Sequence, residues 1–316
     1  MTPAGVRRRA APGSSGFLRR SQPRYVEKVV KVLLVAASLV SVLTTVGIVI
    51  ALIPPSVEFF GKVSFGDFIT GTDWSPLFKP ASFGVLPLVT GTLVITLIAL
   101  VVAVPLGLGA AVYLSEYARP RVRSFFKPIL EVLAGIPTVV YGFFALQAVT
   151  PLLQDIWPGG DGPEVFNALS AGFVMGIMII PTIASLSEDA MNAVPNELRD
   201  GGYALGSSRM QVSTRVVFPA ALSGIVAAIV LGVSRAIGET LIVAIAAGGR
   251  PNLSFNPLEG MQTMTAFIAA AGIGDLPTGS IGYQTIFAVG TLLFVMTLVM
   301  NLVSIRLVRK YRQVYE

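Results

Sequence analysis

The sequence predicts an all-α membrane protein with six transmembrane helices. Three observations carry that expectation. Of 316 residues, 53% are hydrophobic and only 13% charged, and mean hydropathy is +0.76; an ordinary soluble chain is about 25% charged. Six stretches reach or approach the ~20 apolar residues that a helix needs to cross a bilayer. Lys and Arg then fall almost entirely on one side of those stretches, as they do in membrane proteins whose cytoplasmic loops are basic.

In chain order, residues 1–28 are polar and basic, with Arg7-Arg8-Arg9, Arg19-Arg20 and many Pro, Gly and Ser. This composition predicts a disordered cytoplasmic tail, ahead of a permease-sized membrane domain over 29–312. A signal peptide is the competing reading. The apolar run Val32–Ile53 has 22 residues, longer than the roughly 7–15 of a signal peptide's core, so it is expected to stay as the first span. The second span is expected at Pro87–Leu114, within the uncharged stretch Pro80–Ser115. The third is Val132–Gln154, the fourth Val165–Ser187, the fifth Val216–Ala247 and the sixth Ile281–Ile305. No segment between them is long enough for a soluble domain.

The connecting segments differ in character. Pro54–Phe83 holds Asp67, Asp73, Trp74 and several Phe, which suits the headgroup level of a membrane. Gln154–Glu164 is short and acidic. Gly248–Ser280 is rich in Gly, Pro and Asn but contains the apolar piece Met261–Ile273, expected to lie along the membrane or dip into it. The tail through Lys31, the loop Arg119–Lys127, the loop Arg199–Arg215 and the C-terminal end Arg306–Arg312 hold 19 Lys and Arg; the other side holds three, Lys62, Lys79 and Arg250. Both termini are therefore expected in the cytoplasm, as an even span count requires.

Composition also excludes chemistry. The chain has no Cys and no His. That removes disulfides, thiolate sites, the usual metal ligand and the usual general base. No catalytic residue and no metal ligand is assigned, and no Ser–Lys pair lies within the spans to support an intramembrane enzyme. The net charge of +6 belongs to residues beside membrane spans and does not point to nucleic acid.

Within the spans, LAGIPTVVYGFFAL (Leu133–Leu146) places Pro137 where it kinks or loosens the helix, beside the small residues Ala134, Gly135 and Gly142. Glu131 reads as an end-of-span carboxylate. Gly172 and Gly176 make a small-residue packing pattern, and Pro181 predicts another kink. In the fifth span, GVSRAIGET (Gly232–Thr240) puts Arg235 and Glu239 about 29 and 35 Å along a helix from Val216, at 1.5 Å per residue. Four residues apart, they share a face of a continuous helix. One reading is a structural ion pair. The other is a polar station on a solute path, because a charge inside a membrane is costly and marks function. Arginine can grip an oxyanion with two parallel donors, and Glu239 can hold the arginine or select a protonated anion. Ser234 and Thr240 flank the pair and complete the candidate path.

The longest polar interruption of the second half, within 188–219, is NELRDGGYALGSSRMQVSTRVVFP (Asn196–Pro219). Its order is Asp200-Gly201-Gly202, three residues, Gly206, nine residues, Val216, one residue, Phe218-Pro219. This spacing resembles the cytoplasmic docking motif of ABC-importer permeases: Glu-Ala-Ala, three residues, Gly, nine residues, Ile, one residue, Leu-Pro. The resemblance implies short helices that dock into an ATPase subunit, with Glu197, Asp200, Gly201, Gly202, Gly206 and Pro219 as docking residues. Asp-Gly-Gly departs from the family pattern. Each Gly weakens a helix by roughly 1 kcal/mol against Ala, so the docking helix is expected to start late or to be propped by its partner. Gly206 is expected to make a tight turn between two short helices.

LAGIPTVVYGF, SRAIGET and the docking motif together resemble permeases of the phosphate-specific ABC importer. The segments Asp73–Leu93 and Thr285–Arg312 are more similar to its C-type than to its A-type subunit, and the likeness covers roughly Phe65–Arg312. The resemblance implies an ABC importer permease fold and half of a heterodimeric pore. It further implies two separate ATPase subunits, which carry the ATP, and an extracytoplasmic phosphate-binding protein. It also assigns Arg235 and Glu239 to the translocation path. The chain has no phosphate-binding loop of the ATPase type and is expected to hold no cofactor. A permease for another oxyanion, sulfate or molybdate, is the nearest rival; a passive channel or secondary transporter is the next, and dependence on an ATPase separates them.

Overall fold

The structure, a computed structural model, describes residues 25–157, 159–160 and 162–311; most of the expected basic tail and Arg312 lie outside the described residues. The helices, in order, are α1 (Tyr25–Phe60), α2 (Phe65–Thr70), α3 (Leu86–Val112), α4 (Pro120–Gly135), α5 (Thr138–Phe144), α6 (Thr150–Ile156), α7 (Ala168–Asn192), α8 (Asn196–Ala204), α9 (Arg209–Val212), α10 (Phe218–Ala220), α11 (Leu222–Gly238), α12 (Leu241–Ala246), α13 (Met264–Ile273) and α14 (Ile281–Tyr311). Wide π turns follow α3 (Tyr113–Tyr117), α5 (Ala145–Val149) and α9 (Ser213–Val217). A two-residue hairpin, β1 (Trp74–Ser75) with β2 (Ser82–Phe83), is antiparallel.

Five helical stretches are long and apolar enough to cross a membrane: Glu27–Phe60, Leu86–Tyr117, Thr138–Ile156, Ala168–Asn192 and Ile281–Arg306. The sixth is a bent pair, Arg209–Ala220 with Leu222–Gly238, at 71°. Five of the six expected spans thus have a helix of spanning length, and the fifth in chain order makes the sixth where the bent pair is counted as one span. Residues 25–50 form one unit and Ala51–Glu316 another. Across the first unit the apolar side chains of α1 stand exposed along the helix.

In the second unit α7 is central. From Ala168 to Pro181 only Ser170 is polar, the pattern of a helix buried on most of its faces, and Met175, Met178, Ile179 and Ile183 are fully buried. Asn167 caps its start by accepting the Ser170 N–H at 2.7 Å. The helix continues through Pro181. Its main neighbour is α3. Gly172 and Gly176 make that contact, as their spacing predicts: a Cβ at Gly172 would lie 2.7 Å from Ile98 Cβ, and one at Gly176 would lie 2.8 Å from the Ala99 carbonyl oxygen.

One expectation needs correction. The third span does not begin at Val132. Residues 132–135 end α4, an amphipathic helix with no buried residue, and the chain turns extended at Ile136 and Pro137. Pro137 lacks a backbone donor and disfavours helix at Ile136, so it breaks the helix where a kink is expected. The aromatic residues at the end of α1 and beyond it pack on one another. Phe59, Phe68 and Trp74 are buried and stack edge-on with Phe60, Phe83 and Phe267, at centroid distances of 5.0–6.3 Å. Within the piece Met261–Ile273, Met264–Ile273 form the ten-residue α13. Its Met264, Ala266 and Phe267 are buried in the protein.

The loop before α13 is tied by polar contacts. Glu164 accepts the Gly260 N–H at 3.0 Å, and Glu259 accepts from Asn252 and Asn256 at 2.7 and 3.0 Å. The Asn256 hydrogen bond, with those of Ser254 and Asn252, holds the Glu259 carboxyl below its usual range. A lowered folded value means that this contact is present above the ordinary carboxylate range and is lost only as pH falls through the lowered one.

Candidate translocation site and docking loop

Two helix breaks meet inside the membrane domain. The first separates α11 from α12. Glu239 leaves the helix with extended backbone (φ −66°, ψ 133°). Its Oε1 accepts the N–H groups of Thr240, Leu241 and Ile242 at 3.0, 3.0 and 3.3 Å, the donors that a new helix leaves unpaired in its first turn. Its backbone carbonyl accepts the Thr265 hydroxyl of α13 at 2.6 Å. The second break is Ile136–Pro137. Across it, the Tyr141 hydroxyl donates to the Leu133 carbonyl at 2.8 Å, tying α5 back to α4. The short helices beyond the two breaks, α5 and α12, pack on each other. Gly142 permits the contact, since a Cβ there would lie 3.0 Å from Ile245 Cδ1. LAGIPTVVYGF therefore packs on α12, the short helix that directly follows SRAIGET.

Arg235 lies in the last turn of α11 and is half-buried. Because the bend precedes Leu222, the straight rise to Arg235 is 13 residues, about 20 Å, and not the 29 Å counted from Val216. Its Nη1 donates to the Thr182 hydroxyl of α7 at 2.9 Å. Among the described residues it has no carboxylate partner within ion-pair distance. The shared helical face expected for Arg235 and Glu239 does not exist, because the helix ends between them. The carboxylate holds α12, and most of the five guanidinium donors remain available. Ser234 donates to Asn301 of α14 at 3.3 Å, and Thr240 donates to the Gly238 carbonyl at 3.3 Å. All four candidate path residues thus flank one break, with separate partners.

This separation changes the expected mutant pattern. Glu239→Ala strands the first amides of α12 and should cost about 1–3 kcal/mol, read as a lower thermal midpoint of the purified complex. Glu239→Gln, which keeps an acceptor, should cost less. Adding Arg235→Ala to Glu239→Ala should not recover stability; recovery would mean that the two side chains form a pair after all.

At the docking loop, α8 starts at Asn196 and runs through Gly201 and Gly202, so the expected late start is overturned. Tertiary contact outweighs local propensity here. Gly202 faces Val212, where a Cβ would lie 3.0 Å from Val212 Cγ2, while Gly201 is open. Glu197 occupies the first turn, where a negative charge suits the helix dipole, and Asp200 is exposed. Gly206 has φ +80° and makes the turn between α8 and α9, as its position predicts. Ser208 and Gln211 then close a capping box. Pro219 lies in α10, just before the 71° bend into α11. Around the turn, Leu205 and Met210 are 88% and 68% exposed and Tyr203 is exposed beside them.

Sequence reasoning missed a layer of polar residues behind this loop. Glu116 and Glu188 are almost fully buried, paired with Arg199 and Arg123. Their signal is an acidic residue at the end of a span next to a basic loop. No group of three or more possible metal ligands occurs among the described residues.

Residues 103–313 match the family described as the binding-protein-dependent transport system inner membrane component. The probable ABC transporter permease protein YqgH of Bacillus subtilis (strain 168) is 34% identical over 84% of this chain and 86% of its own length. The phosphate transport system permease protein PstC of Mesorhizobium japonicum is 31% identical, with coverages of 83% and 84%. PstC 1 of Mycobacterium tuberculosis is 34% identical, with coverages of 77% and 81%. Among solved structures, a bacterial ABC transporter involved in import of the acidic polysaccharide alginate aligns with TM-score 0.60 at 16% identity, over 92% of this chain and all of that one. The inward-facing MetNI methionine ABC transporter aligns with TM-score 0.52 at 20% identity, over 73% of this chain and 95% of that one. At such identities the structural likeness speaks for the fold.

Proposed function

The chain belongs to the family of inner-membrane components of binding-protein-dependent transport systems, and from that premise we propose that it is the C-type permease subunit of an ATP-driven importer of inorganic phosphate. It is a transport subunit and not an enzyme. A second permease completes the pore, two ATPase subunits bind below it, and an extracytoplasmic binding protein delivers phosphate. Both termini and the α8–α9 loop face the cytoplasm. The apolar cap formed by Tyr203, Leu205 and Met210, with Glu197, Asp200, Gly201, Gly202, Gly206 and Pro219, docks on an ATPase subunit. Closure of the ATPase dimer then moves the spans and alternates access to a path that includes Ser234, Arg235, Glu239 and Thr240.

The observation that carries this reading is Arg235. It is a charged residue in a span, without a carboxylate neutralising it among the described residues, with free donors in a planar fork that fits a tetrahedral oxyanion. Relatives named for phosphate transport, matched over most of both chains, support phosphate over sulfate and molybdate.

Proteoliposomes holding the complete complex test it. ATP-dependent uptake of labelled phosphate should be suppressed by arsenate and not by sulfate; suppression by sulfate would move the assignment to another oxyanion. For topology, a reporter active only in the cytoplasm, fused after Arg312, should be active. Activity of an outside-only reporter at that position would overturn the orientation.

A further inference from the structure

We propose that Arg199 is a positioning residue for coupling: it locks the docking helix α8 to the ends of α3 and α7, so that a push on α8 moves those two helices as one body. The inference rests on the reading of α8 as the ATPase-facing helix. Arg199 is the one cation of α8, and its guanidinium reaches three elements at once. Its Nη1 donates to the Val194 carbonyl at 2.6 Å and to Asn196 Oδ1 at 3.4 Å. Its Nη2 donates to the Met191 carbonyl at 2.8 Å and to Glu116 Oε1 at 3.0 Å. Met191 and Val194 sit at the end of α7, where carbonyls lack helical partners and the dipole favours a cation. Glu116 lies in the π turn that ends α3.

The pair is buried, with side-chain exposures of 14% for Arg199 and 4% for Glu116. A planar fork held by several acceptors resists sliding in a way that a single flexible contact does not. The contact also extends sideways. The Ser115 hydroxyl, with one proton to give, lies 3.0 Å from Glu116 Oε1 and 3.3 Å from Asn192 Oδ1, Asn192 donates to Glu188, and Glu188 pairs with Arg123 Nε at 2.6 Å. Above it, α3 and α7 are already joined through Gly172 and Gly176, and Thr182 of α7 holds Arg235. Movement of α8 is thereby carried along α7 to the break that holds the candidate solute station. A surface ion pair would do none of this, because exposed pairs contribute little and rearrange freely.

Two measurements on the complete complex test the proposal. Replacing Arg199 alone strands a buried carboxylate, so the transport variant is Arg199→Met with Glu116→Gln. Phosphate uptake per assembled complex should fall about tenfold, the scale of losing one hydrogen-bonded charged group, while ATPase co-purification and ATP hydrolysis persist. A purely structural role would instead lower the yield of complex and leave uptake per complex unchanged, which overturns the proposal. The second measurement keeps the native contact. The chain has no Cys, so Ala204→Cys on α8 and Leu106→Cys on α3, both exposed, place a unique pair of spin labels in this subunit. Their distance should be the same with and without ATP. In the Arg199→Met, Glu116→Gln background, ATP should shift or broaden it. A distance that changes with ATP while Arg199 and Glu116 are intact refutes the rigid link, even if the double variant fails to assemble. Absence of ATP-dependent phosphate uptake by the unaltered complex would refute the functional reading instead, and the distance measurement does not depend on it.

Discussion

Replacing Arg235 with lysine should produce complexes that assemble and hydrolyse ATP but import phosphate roughly 10–100-fold more slowly, the range expected for losing hydrogen bonds to a charged ligand worth about 1.5–3 kcal/mol. Lysine keeps the positive charge, so the difference isolates the planar fork. The structure makes the comparison clean. Among the described residues Arg235 is bound through one hydrogen bond, to Thr182, and lysine can satisfy that hydroxyl as well. The fold should therefore tolerate the exchange, with a thermal midpoint close to that of the unaltered complex. Uptake in proteoliposomes, normalised to assembled complex, is the deciding measurement. Unchanged uptake in the lysine variant would remove Arg235 from the path and leave it a role in holding α11 to α7.

Gly206→Val should detach the ATPase. At φ +80° a β-branched residue is strained by about 1–3 kcal/mol, and the strain falls on the turn that sets α8 against α9. Relief requires that turn to open, which displaces Leu205 and Met210 from their common surface. A loss of about 1.4 kcal/mol in docking is a tenfold weaker association, so ATPase co-purification should drop by at least about that much, while membrane insertion is unaffected. Gly206→Asn is the control, because Asn enters the left-handed region more readily than other residues with a side chain. It should retain most of the binding. Equal co-purification in the valine and asparagine variants would count against a docking role for this turn.

Much of the fold was legible from composition and spacing. Bilayer thickness sets the length of an apolar run, and of the six runs five correspond to helices of spanning length and one to a bent pair. Gly206 was legible as a turn because only its backbone freedom is at issue, a property of one residue. Gly172 and Gly176 were legible as a contact because closely approaching backbones require small side chains, whatever lies opposite. The course of the fifth span was not legible. GVSRAIGET has no residue that forbids helix, and a 3.6-residue period runs through it. The break at Glu239 exists because its carboxylate finds the amides of Thr240, Leu241 and Ile242 and because Thr265, from another helix, takes its carbonyl.

The docking helix teaches the opposite lesson. Its two glycines argue against helix at Asp200–Gly202, yet α8 forms, since Arg199 clamps it to α7 and Gly202 fits over Val212. The sequence by itself determined the number of spans, the charge asymmetry between their two sides, the turn at Gly206 and the candidate residues at both sites. These depend on hydrophobicity, charge and backbone freedom, which each residue carries locally. Only the tertiary structure decided that Arg235 and Glu239 have separate partners and that Glu116, 83 residues away in sequence, holds Arg199. Partner choice for a charge depends on which groups packing brings within about 3 Å, and that is a property of the assembled helices, absent from any one of them.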